Sequence, residues 1–203
     1  MLRRLLVPIV ALLALAMPFA ALAQSAPETV AADLNAYWAA RFAEAGFAYS
    51  PPGLRMVTDS TVSACGPIDP SIGPAAYCPA DSTIYYAPIW DEIYQTGGNP
   101  YAWFVVLAHE WGHHVQHLLA TDDHGTQGSE LQADCLAGAF VRDAEDRGLA
   151  EPGTLTRGMG LAIKSGDLPF INDPEAIHGS GADRGVTFMQ GYMQGLSACG
   201  LPF

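Results

Sequence analysis

The chain has 203 residues, half of them apolar and 15% charged, which is enough for one domain with a sizeable core and short for two. That balance excludes a disordered chain. The formal net charge of −12 at pH 7 argues against nucleic acid or an anionic membrane surface as partner, because both would be repelled.

Residues 1–23 read as a targeting segment rather than as part of the fold. Arg3 and Arg4 make a positive start, Leu5 to Ala20 is almost wholly apolar, and Ala21-Leu22-Ala23 offers a small-x-small cleavage site. The competing reading is an uncleaved anchor, but the apolar run is short for a spanning helix. Removal at Gln24 would leave seven basic against 21 acidic residues, a charge of −14. The expectation is an exported protein, periplasmic or extracellular, with no stable membrane insertion after cleavage. Residues 24–203 then form a single domain.

Along that domain, Val30, Leu34, Tyr37, Trp38 and Phe42 recur at helical spacing and predict an amphipathic helix over 29–46, ending near Gly46. Leu54 to Val57 is strand-like. Residues 65–82 are rich in Gly, Pro, Ser and Cys and predict a loop. Ile84 to Ala87 is a β-branched and aromatic run of strand type, and Ile89 to Tyr94 a helical turn. Asn99 is placed to cap, and Pro100 to open, a long and largely buried helix from Tyr101 to Ala120. A polar connection over 121–128 leads to a second helix, Ser129 to Arg147, stopped at Gly148. A short helix over 154–163, a loop over 166–181 and a last helix from Ala182 to Met193 complete the domain. The fold class expected is α+β, mostly helical, with one small strand region.

Four cysteines, Cys65, Cys78, Cys135 and Cys199, suggest disulfides in an exported chain, and three pairings are possible. Cys65 with Cys78 closes the obvious short loop, which leaves Cys135 with Cys199. Zinc ligation by these cysteines is the rival reading, and their spacings are not of the C-x-x-C kind.

The stretch with most chemical content is His109-Glu110-Trp111-Gly112-His113. On a helix, residues four apart share a face, so two imidazoles can bind one metal while Glu110 reaches a water on it. Gly112 carries a helix penalty and hints at close packing or ligand access. On the next predicted helix, Glu130 and Asp134 repeat the four-residue spacing. Glu130 can complete a His₂Glu zinc site with one open position, and Asp134 can accept the outer N–H of a ligating histidine. Gln116 and Leu119 stand where a metzincin would carry Gly and His, which excludes that class. His114 and His117 read as polar surface or supporting groups, and His124 as part of a solvated loop beside Asp122 and Asp123. Trp103, Phe104 and Trp111 are most simply core.

The segments HEWGHHVQ (His109 to Gln116) and ELQADCLAG (Glu130 to Gly138) resemble the putative neutral zinc metallopeptidase family of bacteria. Cys65-Gly66, Tyr77 to Asp81 with Ile84-Tyr85, and His178-Gly179-Ser180 followed by Arg184 agree with it in order. The likeness covers about residues 60 to 199. It implies a zincin-like, gluzincin-type core with zinc held by His109, His113 and Glu130. The family's preceding cytoplasmic-to-membrane region is here reduced to the predicted signal peptide, so no substrate is carried over.

The reaction expected is hydrolysis of a peptide bond in a protein or peptide substrate, with Glu110 as general base. His178, in a Gly-rich loop, is the candidate donor to the developing oxyanion, with Tyr192 and Arg184 behind it. Ile84 to Ala87 is a candidate edge for an extended substrate, or an ordinary core strand. Two other classes compete: a non-catalytic, zinc-stabilised binding module, and an amidase acting on cell-wall peptides. The presence of Glu110 disfavours the first, since a structural site needs no base.

Overall fold

The first helix, α1 (Pro27–Ala45), begins on a proline, whose missing N–H is no loss in a first turn, and ends where Gly46 turns left-handed at φ 77°. Val30, Leu34, Trp38 and Phe42 form its fully buried stripe, as the spacing requires. The protein is described as a computed structural model over residues 26–97, 99, 101–121, 125–151, 153–164 and 178–203. The predicted signal peptide, Pro100, the Asp122–His124 segment and most of the predicted 166–181 loop lie outside these residues.

After α1 come five short strands: β1 (Gly53–Met56), β2 (Thr61–Ser63), β3 (Gly66–Ile68), β4 (Ala75–Cys78) and β5 (Thr83–Tyr86). β1 pairs in parallel with β5, and β4 pairs antiparallel with β5 on its other side, giving the order β1-β5-β4. β2 and β3 form a separate antiparallel hairpin. Two expectations need correction here. The 65–82 stretch is not all loop, because its Gly- and Pro-rich links separate β3 and β4. Ile84–Ala87 offers no free edge: β5 is the middle strand, and Ile84, Tyr85 and Tyr86 are buried.

Helices α2 (Trp90–Thr96), α3 (Ala102–Leu118), α4 (Gln127–Asp146), α5 (Thr154–Lys164) and α6 (Gly181–Gln194) follow, then a 3₁₀ turn, Leu196–Cys199. Among the described residues none of the helices is long and apolar enough to cross a membrane. α3 is buried nearly all round at Trp103, Phe104, Leu107 and Ala108, because α1, α4 and the sheet pack on it. It starts one residue later than expected. Tyr101 occupies the cap position without a side-chain bond, and Asn99 contributes only its carbonyl, to the Ala102 N–H at 3.1 Å. α4 has a true side-chain cap, the Thr126 hydroxyl accepting from the Ser129 N–H at 3.2 Å.

Helix α4 is the hub. Its contact with α3 is close because Gly112 faces Ala133, where an added Cβ would lie 2.9 Å from the Ala133 Cα. Its contact with α6 is closer still, with Gly138 against the Phe188 carbonyl and Gly191 against the Cys135 carbonyl. Two disulfides tie the periphery down: Cys65 to Cys78, and Cys135 on α4 to Cys199 in the last turn. No described cysteine is free, so the pairing expected from the short loop holds.

Candidate metal centre

Helical spacing puts His109 and His113 one turn apart on α3, and the tight Gly112–Ala133 contact brings the first turn of α4 against them. The result is a close-set donor group. The two Nε2 atoms are 3.2 Å apart; His109 Nε2 lies 3.3 Å from one Glu130 carboxylate oxygen and His113 Nε2 3.3 Å from the other. Ligand atoms around a tetrahedral ion with arms of about 2.0 Å are about 3.3 Å apart, so side chains at these spacings could hold a metal ion with small adjustment of the Glu130 carboxylate. His109, His113 and Glu130 form the group of possible metal ligands among the described residues. Their side chains keep 10–13% exposure.

Both imidazoles are held by the other ring nitrogen. The His109 Nδ1–H donates to the Asp134 carboxylate at 2.9 Å. That carboxylate also takes two bonds from Arg184, at 2.7 and 2.9 Å. The His113 Nδ1–H donates to the Gln116 amide oxygen at 3.0 Å. The Gln116 amide nitrogen then donates to the Ser129 carbonyl and the Gln132 amide oxygen, and Gln132 to the Cys199 carbonyl, each at 2.9 Å. With each Nδ1 committed as a donor, a neutral imidazole at either position turns its Nε2 lone pair toward the middle of the group. Two such lone pairs beside a carboxylate are a donor set for a metal cation, and a proton shared with Glu130 satisfies the same contacts without one.

Burial would lower the His109 imidazole, but the Asp134 charge and the bonds the ring donates to Asp134 and Glu130 outweigh it and push it up to about 10. Burial would raise Glu130, and its bonds with His109 and His113 hold it far below the carboxylate range. Burial would likewise raise Asp134, and the His109 and Arg184 charges hold it below its usual value. The site is built to attract a cation.

Glu110, next to the first imidazole, lies on the side of α3 facing the sheet. One of its oxygens accepts the Tyr77 backbone N–H of β4 at 2.8 Å. The Tyr77 hydroxyl lies 3.0 Å from His114 Nδ1 and 2.7 Å from His117 Nδ1. His114 is no surface group. It is 1% exposed, its Nε2 lies 2.8 Å from the Ser50 carbonyl, and burial pushes its imidazole below the ordinary value.

Other sequence candidates lie elsewhere. His178 is exposed, three residues ahead of α6, and is not a member of the ligand group. The Tyr192 hydroxyl donates to Glu145 at 2.5 Å, and Glu145 lies 15 residues beyond Glu130 on the same helix, about 22 Å along its axis. Arg184 does reach the site, 3.8 Å from the Glu130 carboxylate, but its guanidinium is engaged by Asp134. Trp111 is core, donating to the Tyr49 hydroxyl at 3.1 Å. His124 lies outside the described residues.

Sequence reading missed Gln116 as the support for His113 and the Tyr77 amide as the partner of Glu110. The first had a signal, a polar residue three positions after a ligand on a helix buried there. The second had none, because a backbone N–H is the same in every sequence.

The family profile described as "Putative neutral zinc metallopeptidase" matches residues 20–200. The uncharacterized protein YpfJ of Escherichia coli is 31% identical, covering 78% of this chain and 63% of that protein. The uncharacterized protein Rv2575 of Mycobacterium tuberculosis is 33% identical over 72% of this chain and 60% of its own length. This chain thus spans about three fifths of these curated relatives. No solved structure matches it significantly.

Proposed function

The chain belongs to the putative neutral zinc metallopeptidase family, and from that premise we propose that it is an exported zinc-dependent peptidase, with Glu110 as general base. The observation that carries the proposal is the convergence of His109 Nε2, His113 Nε2 and the two Glu130 carboxylate oxygens at 3.2 to 3.3 Å contacts, with the Glu110 carboxylate beside them that is not a member. Among the described residues no fourth His, Cys, Asp or Glu joins the group, which favours a catalytic site with an open position over a structural one closed by a fourth ligand. Export is supported by the two disulfides and by the apolar start of the sequence.

The roles follow from the contacts. Zinc, when held by His109, His113 and Glu130, supplies Lewis-acid chemistry, acidifying a water and polarising a carbonyl. Glu110 would accept a proton from the attacking water on the oxygen not used by Tyr77 and pass it to the departing amine. Asp134 and Gln116 keep both imidazoles in the tautomer with Nε2 inward. Arg184 offsets the carboxylate charge behind His109. His178 is retained as a candidate oxyanion donor, on its place in a Gly-rich loop ahead of α6.

The test is hydrolysis of casein and of peptidoglycan by the purified chain, with and without a chelator. Casein cleavage that stops with the chelator and falls by about 10²- to 10⁴-fold in Glu110→Gln supports a peptidase. Activity confined to peptidoglycan would make it a cell-wall amidase instead. Bound zinc with no hydrolysis of either substrate would refute the enzymatic reading.

A further inference from the structure

We propose that Tyr77 is a positioning residue for the general base: its backbone N–H fixes the Glu110 carboxylate, and its hydroxyl, clasped by His114 and His117, holds that N–H in place. The inference rests on the peptidase reading of the site. It adds a residue outside the ligand set and outside the active helix.

The local geometry makes the case. β4 is the outer strand of its sheet, paired only with β5, and Tyr77 stands opposite Ile84. The Tyr77 N–H donates to Glu110 at 2.8 Å, so it is directed away from β5 and toward α3. Residues opposite one another in an antiparallel pair alternate between bonded and non-bonded pairs, and this pair is of the second kind. Glu110, His114 and His117 follow one another at i, i+4 and i+7, which is one face of α3. A single strand residue therefore grips that face at three successive positions, one through its main chain and two through its side chain.

The tautomers can be assigned from the partners. The His114 Nε2–H donates to the Ser50 carbonyl at 2.8 Å, so its Nδ1 accepts. The one hydroxyl proton of Tyr77 goes there, and the His117 Nδ1–H donates to the phenol oxygen. All three bonds are satisfied without conflict. The next residue, Cys78, is tied to Cys65, which limits movement of the strand on the other side. β4 cannot slide along α3 without breaking this set. A glutamate has three rotatable side-chain bonds, and a base displaced by about 1 Å can lose about 10²-fold in rate. A clasp of this kind restricts it.

Tyr77→Phe removes the hydroxyl and keeps the ring. The expected result is full zinc content, KM within about twofold of the parent, and kcat lower by about tenfold or more. A merely structural tyrosine would lower zinc content or stability and leave the kcat per bound zinc alone. Either that outcome or an unchanged kcat in an active parent overturns the inference. A parent that hydrolyses nothing overturns the functional reading instead. A second readout needs no activity: the Tyr77 amide proton, followed by NMR or hydrogen exchange in the zinc-loaded chain, loses its downfield shift and protection in Glu110→Ala. An amide indifferent to that substitution also overturns the inference, even if Tyr77→Phe fails to fold.

Discussion

Gln116 supports the candidate metal group without being a member of it. It is fully buried, and every polar atom of its amide is matched, from His113 on one side to Ser129 and Gln132 on the other. Gln116→Ala leaves the His113 Nδ1–H without its acceptor, and zinc affinity should fall by about 10- to 100-fold, measured by competition with a chromogenic chelator. Glu130→Ala removes a ligand outright, and metal analysis should find the ion lost; full occupancy would mean that another group is the third ligand. Tyr49 offers a test of core placement by pH. Burial raises its hydroxyl to about 12, although the bond from Trp111 opposes the shift. A raised folded-state value contributes stability that is complete below the unfolded value of 10 and disappears as pH climbs through about 12. Denaturant midpoints should therefore drop over that window, and less in Tyr49→Phe.

At the scale of elements, the site exists because α3 and α4 approach closely at Gly112. A methyl group there would sit 2.9 Å from a backbone atom of α4, so the helices must part. Gly112→Ala should cost about 1–3 kcal/mol in chemical denaturation and also weaken zinc binding, because His109 and His113 move away from Glu130. Stability lost with zinc affinity intact would show that the helices adjust without disturbing the donor group. Thr126 caps the same helix one residue before it begins, and the first turn of α4 carries Glu130. The Gly138 and Gly191 contacts fix α6 on the far side in the same manner, which brings Arg184 to Asp134. Sequence periodicity found these helices to within a residue or two, but it did not find β3 and β4 inside the Cys- and Gly-rich stretch. Strands of three or four residues are too short for alternation to register.

Across the whole molecule, the disulfides do unequal work. Cys135 and Cys199 are 64 residues apart, and Cys65 and Cys78 are 13 apart. Chain-entropy reasoning gives about 4 kcal/mol for the longer loop and about 3 for the shorter. Replacing Cys135 and Cys199 together by serine should lower the melting temperature more than replacing Cys65 and Cys78, and non-reducing peptide mapping of the parent should recover both links. The longer link also closes the path from His113 through Gln116 and Gln132 to the Cys199 carbonyl. The C-terminal turn therefore supports the ligand helix, although it is remote from the motif in sequence.

The metal-binding motif, its helix, Glu130 with Asp134 on the next helix, and the mostly helical class were all legible in the sequence. Each depends on residues a few positions apart, where helical geometry leaves little freedom. The place of β5 as an inner strand, the Tyr77 amide beneath Glu110, the buried His114 and the remote position of the Tyr192 hydroxyl were decided by tertiary structure alone. Those features join segments 30 to 64 residues apart, and distance along a chain says nothing about which groups meet once helices and strands have packed.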